Sequence, residues 1–238
     1  MMPDIKILFS IGARGGSKGF ENKNISNING KPLIAWSIEQ ALNSKYCSDV
    51  VVTTDCVEIA EVARKNGAHI PFIRPDHLAN DSAGKWDVWQ HCLKSCEETY
   101  GIEYDLYVDL DCTSPLRDTS DIDNIIEMFL SESVDAVFTV CEARKNPYFN
   151  LVEPDSNGYL KISKVLENAV VCRQSAPLVY EHVASIYVLS PSYLRSGTGL
   201  LSGNTIGYDI GVEKSLDLDS AFDKRMIEFL MLDKDADQ

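Results

Sequence analysis

The chain has 238 residues, of which 45% are hydrophobic and 24% charged, enough apolar mass for one well-buried domain and too little charge for default disorder. Its net charge of −14 argues against general nucleic-acid binding, which needs a basic face. No apolar run approaches the ~20 residues of a membrane span, and the start lacks the basic leader and small-residue cleavage site of a signal peptide, so the expectation is a soluble, cytoplasmic protein.

Seven cysteines stand at positions 47, 56, 92, 96, 112, 141 and 172. An odd count without CxxC argues against a disulfide scaffold or zinc ribbon and for reduced thiols. Cys92 and Cys96, one helical turn apart, read as buried packing.

Strands and helices alternate through the first 140 residues. Ile5–Ile11 is nearly continuous in apolar character, as in a strand covered on both faces. A glycine-rich loop follows, and Pro32 opens a helix that keeps Ile34, Ile38, Ala41 and Leu42 on one face. Val50–Thr53 is a strand, Val57–Asn66 a helix ended by Gly67, and Ile70–Ile73 a short strand. Trp86, Trp89, Leu93, Cys96 and Tyr100 mark a third helix, and Leu106–Leu110 a strand. Thr119 or Ser120 caps a helix with Ile122, Ile125, Ile126 and Phe129 inward, and Ala136–Val140 is the next strand. This order predicts an α/β fold with a mostly parallel, Rossmann-like sheet and helices on both faces, its ligand lying beyond the carboxyl ends of the strands.

The alternation breaks at 143–178, where Pro147, Pro154, Pro177 and the turn Ser156-Asn157-Gly158 predict a hairpin-rich insertion within a single domain spanning 1–238. Val183–Leu189 is again a strand and Leu216–Leu218 is extended. The last helix contains Phe222, Met226, Phe229 and Leu230, with Ser220 and Asp223 spaced as a capping box and Asp233–Gln238 as an acidic tail.

The strongest signal is Gly12-Ala13-Arg14-Gly15-Gly16-Ser17-Lys18-Gly19, continuing to Lys23-Asn24. Glycines permit close backbone approach, and consecutive N–H groups can form an anion nest. Arg14, Lys18 and Lys23 reverse the acidity of the chain locally, which points to a polyphosphate. The spacing matches neither a P-loop, since Ser17 precedes Lys18, nor the GxGxxG dinucleotide fingerprint.

With Lys23-Asn24-Ile25 and Gly30-Lys31-Pro32-Leu33-Ile34, this segment resembles the opening of the acylneuraminate cytidylyltransferases: the CMP-sialic acid synthetases and their bacterial relatives acting on legionaminic, pseudaminic and related nonulosonic acids. The resemblance implies that Arg14, Lys18 and Lys23 act on the triphosphate and reacting phosphate. It also implies that Ala13, Gly15, Ser17 and Asn24 help bind the nucleotide. Val52-Thr-Thr-Asp55 is similar to the family's second-strand segment, which brings Asp55 to the nucleotide. Phe72-Ile-Arg-Pro75 and Leu78-Ala-Asn-Asp81 resemble its nucleoside-binding stretch, which implies Arg74 near cytosine. Lys85 stands in that stretch where a serine is common, and the resemblance makes it a nucleotide-binding candidate.

Two carboxylate pairs, Asp109/Asp111 and Asp217/Asp219, each have the two-residue spacing that puts both on one strand face, and either could present oxygens to a hard cation. The resemblance distinguishes them. Ser215-Leu-Asp-Leu-Asp-Ser220 is similar to the family's late metal-binding segment, implying Mg²⁺ on Asp217 and Asp219. Asp111-Cys-Thr-Ser-Pro-Leu-Arg117 is similar to its sugar-side motif, implying sugar contacts by Asp111, Thr113, Ser114 and Arg117, with Asp111 open to either sugar or metal. Asp109 reads as a strand-end structural carboxylate, and Arg117 as either a bidentate grip on a carboxylate or a salt bridge at the approach to the next helix.

In the resembling family the 143–178 region is a dimerisation arm reaching the partner's site, which implies a homodimer and makes Gln174 a sugar-contact candidate. Val179-Tyr-Glu-His-Val-Ala-Ser-Ile-Tyr-Val188 is closest to the enzymes acting on legionaminic-type acids. His182 within it is a weaker sugar-contact candidate, and a structural histidine is the better reading. The function this implies is transfer of CMP from CTP to the anomeric hydroxyl of a nine-carbon sugar acid, with release of pyrophosphate. An eight-carbon acid, UTP with another sugar, or a non-catalytic nucleotide-binding module remain the alternatives.

Overall fold

The computed structural model describes residues 5–16, 22–47, 49–168 and 170–236, with residues 234–236 as backbone only. Its strands are β1 (Ile7–Gly12), β2 (Asn27–Ile28), β3 (Lys31–Pro32), β4 (Val50–Thr53), β5 (Leu106–Asp111), β6 (Ala136–Glu142), β7 (Val152–Pro154), β8 (Leu160–Ile162), β9 (Tyr180–Leu189) and β10 (Thr205–Asp209). Its helices are α1 (Leu33–Leu42), α2 (Val57–Lys65), α3 (Lys85–Tyr100), α4 (Thr119–Ser131), α5 (Pro191–Ser196) and α6 (Ala221–Ala236).

Six strands form one sheet in the order β10-β6-β9-β5-β1-β4. β1 is parallel to both β4 and β5, and β10 is parallel to β6. β9 runs antiparallel between β5 and β6, making the sheet mixed but mostly parallel. The alternation of side chains along each strand divides the core in two. Ile7, Phe9 and Ile11 of β1 and Leu106, Val108 and Leu110 of β5 pack with Leu33, Ile34 and Ile38 of α1 and Ile122, Ile125 and Ile126 of α4. Ile227 and Met231 of α6 join that side. Leu8 and Tyr107, facing the other way, pack with Trp89, Cys92, Leu93 and Cys96 of α3 and with Tyr193 and Leu194 of α5. Each fully buried isoleucine or leucine in these layers contributes about 1.5–3 kcal/mol by leaving water. The same alternation turns Ser10, Asp109 and Asp111 towards α3, and that fixes the make-up of the site.

Several expectations need correction. Ile70–Ile73 is not a strand: a single bridge joins His69 to Val51, and Pro71 cannot extend it because it has no N–H to donate. The cap of α4 is Asp118, not Thr119 or Ser120; it forms a capping box with Asp121. β10 and α5 arise in a Gly- and Ser-rich stretch that carried no periodic signal. Leu216–Leu218 joins no sheet, but the Leu218 N–H donates to the Thr113 carbonyl at 2.9 Å.

The insertion contains one hairpin, β7–β8, separate from the main sheet. Asp155 Oδ1 accepts the N–H groups of Asn157 and Tyr159 at 2.9 and 3.0 Å, and Gly158 takes φ of +83° at the turn. The Ser220/Asp223 box is present: the Ser220 N–H donates to Asp223 Oδ2 at 2.7 Å, and the Asp223 N–H to Ser220 Oγ at 3.3 Å. α6 continues through the residues expected as a tail, to Ala236.

Candidate active site

The carboxyl ends of β4, β1 and β5 lie side by side, so their loops converge on one mouth of the sheet. The β1 loop is held by its backbone. The Ala13 N–H donates to the Thr53 carbonyl at 3.1 Å, the Gly15 N–H to Asp55 Oδ1 at 3.0 Å, and Asn24 Nδ2 to the Arg14 carbonyl at 2.9 Å. Asp55 and Asn24 therefore shape the loop. A Cβ on Gly15 would meet the Cys56 Cβ at 3.0 Å, so only glycine lets the loop lie this close to the β4 end. Ser17 and Lys18, the other residues of the motif with proposed roles, lie outside the described residues.

Arg14 leaves this loop towards Asp81, with Nη2 2.9 Å from Oδ1. Arg14, Arg74, Asp81, Lys85, Asp109 and Asp111 line one cleft of about 320 Å³. Arg74 is buried, its Nε bonded to Thr53 Oγ1 at 3.2 Å and its Nη2 to the Thr53 carbonyl. Burial lowers its pKa, opposed by the charge of Asp55. Arg74 thus lines the cleft as a fixed cation pinned to the end of β4.

On the β5 side, Asp109 is buried and accepts from Ser10 Oγ at 2.6 Å. Burial raises its pKa, with Lys85 opposing. Lys85, in the first turn of α3, hydrogen-bonds Asp111 and lies 3.5 Å from Asp109. Desolvation lowers the pKa of this ammonium, but the Asp111 and Asp109 carboxylates outweigh it and the net shift is upward. The rings of Tyr187 and Trp89 flank the ammonium, with centroids 4.2 and 5.3 Å away. Sequence reasoning singled out neither Ser10 nor Tyr187. Ser10 carried a signal, as the one polar residue within the apolar run of β1.

Beyond Asp111 the chain turns back on itself. Arg117 is 1% exposed. Its Nη1 donates to the carbonyls of Asp111 and Ser114, each at 2.8 Å, and of Ser185 at 3.4 Å, and its Nη2 donates to Ser37 Oγ at 2.5 Å. Burial lowers its pKa to about 10, against the pull of Asp111. The expected sugar-gripping fork is instead a buried clamp, its guanidinium holding the β5 turn against α1 and β9. Ser114 is buried with an unpartnered Oγ, whereas Thr113 is partly exposed.

The late acids meet both ends of this arrangement. The Leu218–Thr113 bond carries Asp217 to the β5 turn. Asp217 is partly buried and its Oδ1 has no partner. Burial raises its pKa, and the Asp111 and Asp219 charges push in the same direction while Thr113 opposes. Asp219 is open to solvent and receives Lys23 Nζ at 3.1 Å. A half-buried carboxylate oxygen without a donor, among other carboxylates, suits a hard cation; Mg²⁺ usually takes only one or two protein carboxylates. Among the described residues no group of three or more His, Cys, Asp or Glu side chains is placed to hold a metal, so the late pair would have to suffice.

Gln174 is not in this cleft. It sits in the insertion, in a short turn at Arg173–Ser175, and lines a separate pocket with Glu142, Asn146 and Arg173. His182 Nε2 lies 3.1 Å from the Tyr187 hydroxyl and its ring packs edge-on against Phe138, as a structural histidine would.

Cations of the β1 loop thus lie near the carboxylates of β5 and of the late segment, and the cytidylyltransferase family model matches residues 9–183. The chain belongs to the cytidylyltransferase family. It is 42% identical to CMP-N,N'-diacetyllegionaminic acid synthase of Campylobacter jejuni, over 95% of each chain. It is 39% identical to post-translational flagellin modification protein B of Campylobacter coli, over 96% of each. The N-acylneuraminate cytidylyltransferase of Escherichia coli is 29% identical, over 92% of this chain and 50% of that protein. Among solved structures, CMP:2-keto-3-deoxy-manno-octonic acid synthetase complexed with CTP superposes with a TM-score of 0.72 at 16% identity, covering 96% of this cytidylyltransferase and 99% of that chain. At that identity the likeness shows the fold. No helix among the described residues is long and apolar enough to cross a membrane.

Proposed function

We propose that this cytidylyltransferase transfers CMP from CTP to the anomeric hydroxyl of a nine-carbon nonulosonic acid of the sialic–legionaminic class, and that it does so in the cytoplasm. The observation that carries the reading is the meeting of the two ends of the domain: Lys23, which closes the β1 loop, bonds Asp219 at 3.1 Å, beside the unpartnered Asp217 oxygen. The 42% identity to a legionaminic acid synthase along nearly the whole chain supports the class of acceptor.

In this reading the triphosphate lies over the β1 loop, with Arg14 and Lys23 balancing its charge. The sugar acid approaches from the turn that carries Asp111 and Thr113. Its anomeric oxygen attacks the α-phosphorus, the bond to the bridging oxygen breaks, and pyrophosphate leaves. No covalent enzyme intermediate is required, and the protein's part is alignment and charge neutralisation. Asp217 and Asp219 would hold Mg²⁺, which supplies neutralisation of the phosphate oxygens when bound. The Arg117 clamp keeps the Asp111–Ser114 backbone in place.

The insertion exposes Tyr159, Leu160, Val165 and Val171, at 71%, 68%, 84% and 82%. So much apolar surface on one short arm favours a homodimer in which the arm lies on a second copy, where Gln174 would meet the partner's sugar. The test is a pyrophosphate-release assay with CTP or UTP, Mg²⁺ and a panel of sialic, legionaminic, pseudaminic and eight-carbon acids. Release that requires CTP and a nine-carbon acid supports the reading. CTP binding without release from any acceptor indicates a nucleotide-binding module instead.

A further inference from the structure

Arg14 enters the cleft with its backbone fixed and its side chain engaged. The Arg14 carbonyl accepts from Asn24 Nδ2 at 2.9 Å, and the N–H of the next residue, Gly15, donates to Asp55 Oδ1 at 3.0 Å. The guanidinium Nη2 lies 2.9 Å from Asp81 Oδ1, and the two side chains are 35% and 50% exposed. Both residues line the cleft that also holds Arg74, Lys85, Asp109 and Asp111. A carboxylate is an unexpected neighbour for a cation that awaits phosphates, because it competes with them for the same N–H donors.

The turn that carries Asp81 is built to deliver it. Asn80 Oδ1 accepts from the Ser82 N–H at 2.9 Å and from Ser82 Oγ at 2.7 Å, and Asn80 Nδ2 donates to the His77 carbonyl at 3.1 Å. Asn80 thus braces the chain on both sides of Asp81, while residues 80–82 stay exposed. The fold does not need the contact, since an ion pair this open to water contributes little to stability. A triphosphate offers the same guanidinium several charged oxygens and the bidentate geometry that arginine prefers. Asp81 therefore orients Arg14 and can still be displaced from it.

We propose that Asp81 is a positioning residue: it holds the Arg14 guanidinium at the cleft in the nucleotide-free protein and yields it to the triphosphate, so that CTP entry and pyrophosphate exit each exchange one anionic partner of Arg14 for another. The proposal rests on the reading of Arg14 as a triphosphate cation of a cytidylyl-transfer site. By competing for Arg14, Asp81 lowers the affinity for both ligands, and its return to the guanidinium helps pyrophosphate to leave.

The experiment measures CTP binding by isothermal titration calorimetry, with Mg²⁺ and no acceptor, and then pyrophosphate binding in the same way. The proteins are the intact chain, Asp81→Asn, Asp81→Glu, Arg14→Ala and the Asp81→Asn/Arg14→Ala double variant. Asp81→Asn should bind both ligands about two- to fivefold more tightly, the span of an exposed ion pair expressed as affinity. Asp81→Glu keeps the carboxylate and should bind as the parent does. In the Arg14→Ala background Asp81→Asn should lose its gain, since no guanidinium is left to release. Unchanged or weaker CTP binding by Asp81→Asn would overturn the proposal. So would a gain of the same size in the Arg14→Ala background, the mark of direct repulsion instead of competition for Arg14. Should the Arg14→Ala proteins bind too weakly to titrate, Asp81→Asn and Asp81→Glu decide: tighter binding in the first alone supports, and any other result overturns. Asp81→Ser takes the place of Asp81→Asn should the latter fail to fold. Failure of the cytidylyl-transfer reading has a different signature, the absence of pyrophosphate release from the intact protein with every acceptor, whatever the binding constants.

Discussion

Lys23 and Asp219, 196 residues apart in sequence, meet at 3.1 Å. This contact joins the loop that follows the first strand to the segment that precedes the last helix, so the cations and the acids share one site. Asp219 is 74% exposed and Lys23 only 18%, so the pair adds little to stability. Lys23→Ala and Arg14→Ala should each lower turnover by about 10²–10³, the usual effect of deleting one preorganised charge donor, while melting within a few degrees of the parent. Steady-state pyrophosphate release and a thermal melt check this; near-parental turnover in either variant removes that residue from the mechanism.

Asp217 separates binding from folding. Its carboxylate is half-buried beside Asp111 and Asp219 with one oxygen unpartnered, so in the ligand-free protein its charge is a burden. Asp217→Asn should therefore unfold no earlier than the parent in the absence of Mg²⁺ and CTP, yet lose at least about 10² in turnover. It should also lose the stabilisation that Mg²⁺ and CTP give the parent. Differential scanning fluorimetry with and without both ligands reads all three; a destabilised ligand-free variant would contradict the account of Asp217.

Arg117 is expected to behave as framework. Four protein acceptors surround its buried guanidinium, and Arg117→Ala leaves them unpaired around a cavity, a loss of about 3 kcal/mol or more. Urea unfolding measures it. A variant that folds normally and shows only a raised KM for the sugar acid would restore the ligand-gripping role.

Lys214 gives a pH signature. Its Nζ lies 2.7 Å from both Asp118 and Asp121, at the capped start of α4. Desolvation lowers its pKa, but the hydrogen bonds and charges of the two aspartates raise it above 10.5 overall. A base with a raised folded pKa stabilises fully below its unfolded value and loses that contribution as pH rises through the folded one. The stability difference between the parent and Lys214→Met should thus be flat through neutral pH and shrink only above about pH 10.5. A difference that vanishes below pH 9 would show that the contact is not ionic.

How much of this was legible in the sequence depended on whether a residue's task leaves a local pattern. The apolar run of β1 and the 3.6-residue stripes of α1, α3 and α4 announced themselves because burial imposes periodicity. The glycines and cations of the β1 loop stand out by composition, as a local reversal of the chain's acidity. The antiparallel course of β9 left no mark, since direction in a sheet is decided by the connection and not by side chains. β10 was hidden because its outer position and Gly207 dilute the apolar signal; a Cβ at Gly207 would come within 2.7 Å of Val140. Arg117 misled because a conformationally fixed arginine looks the same in sequence whether it faces a ligand or three carbonyls and a hydroxyl. Lys85 was noticed for its type, but only the fold brings it between Asp109 and Asp111.

The measurement that bears most directly on the central claim is the identity of the product formed from CTP, Mg²⁺ and a nonulosonic acid, followed by mass spectrometry with pyrophosphate counted in parallel. The account predicts a CMP-nonulosonate formed one-for-one with pyrophosphate, and none from UTP. Pyrophosphate without a CMP-sugar, or a product from UTP or an eight-carbon acid in place of a nine-carbon one, would contradict it.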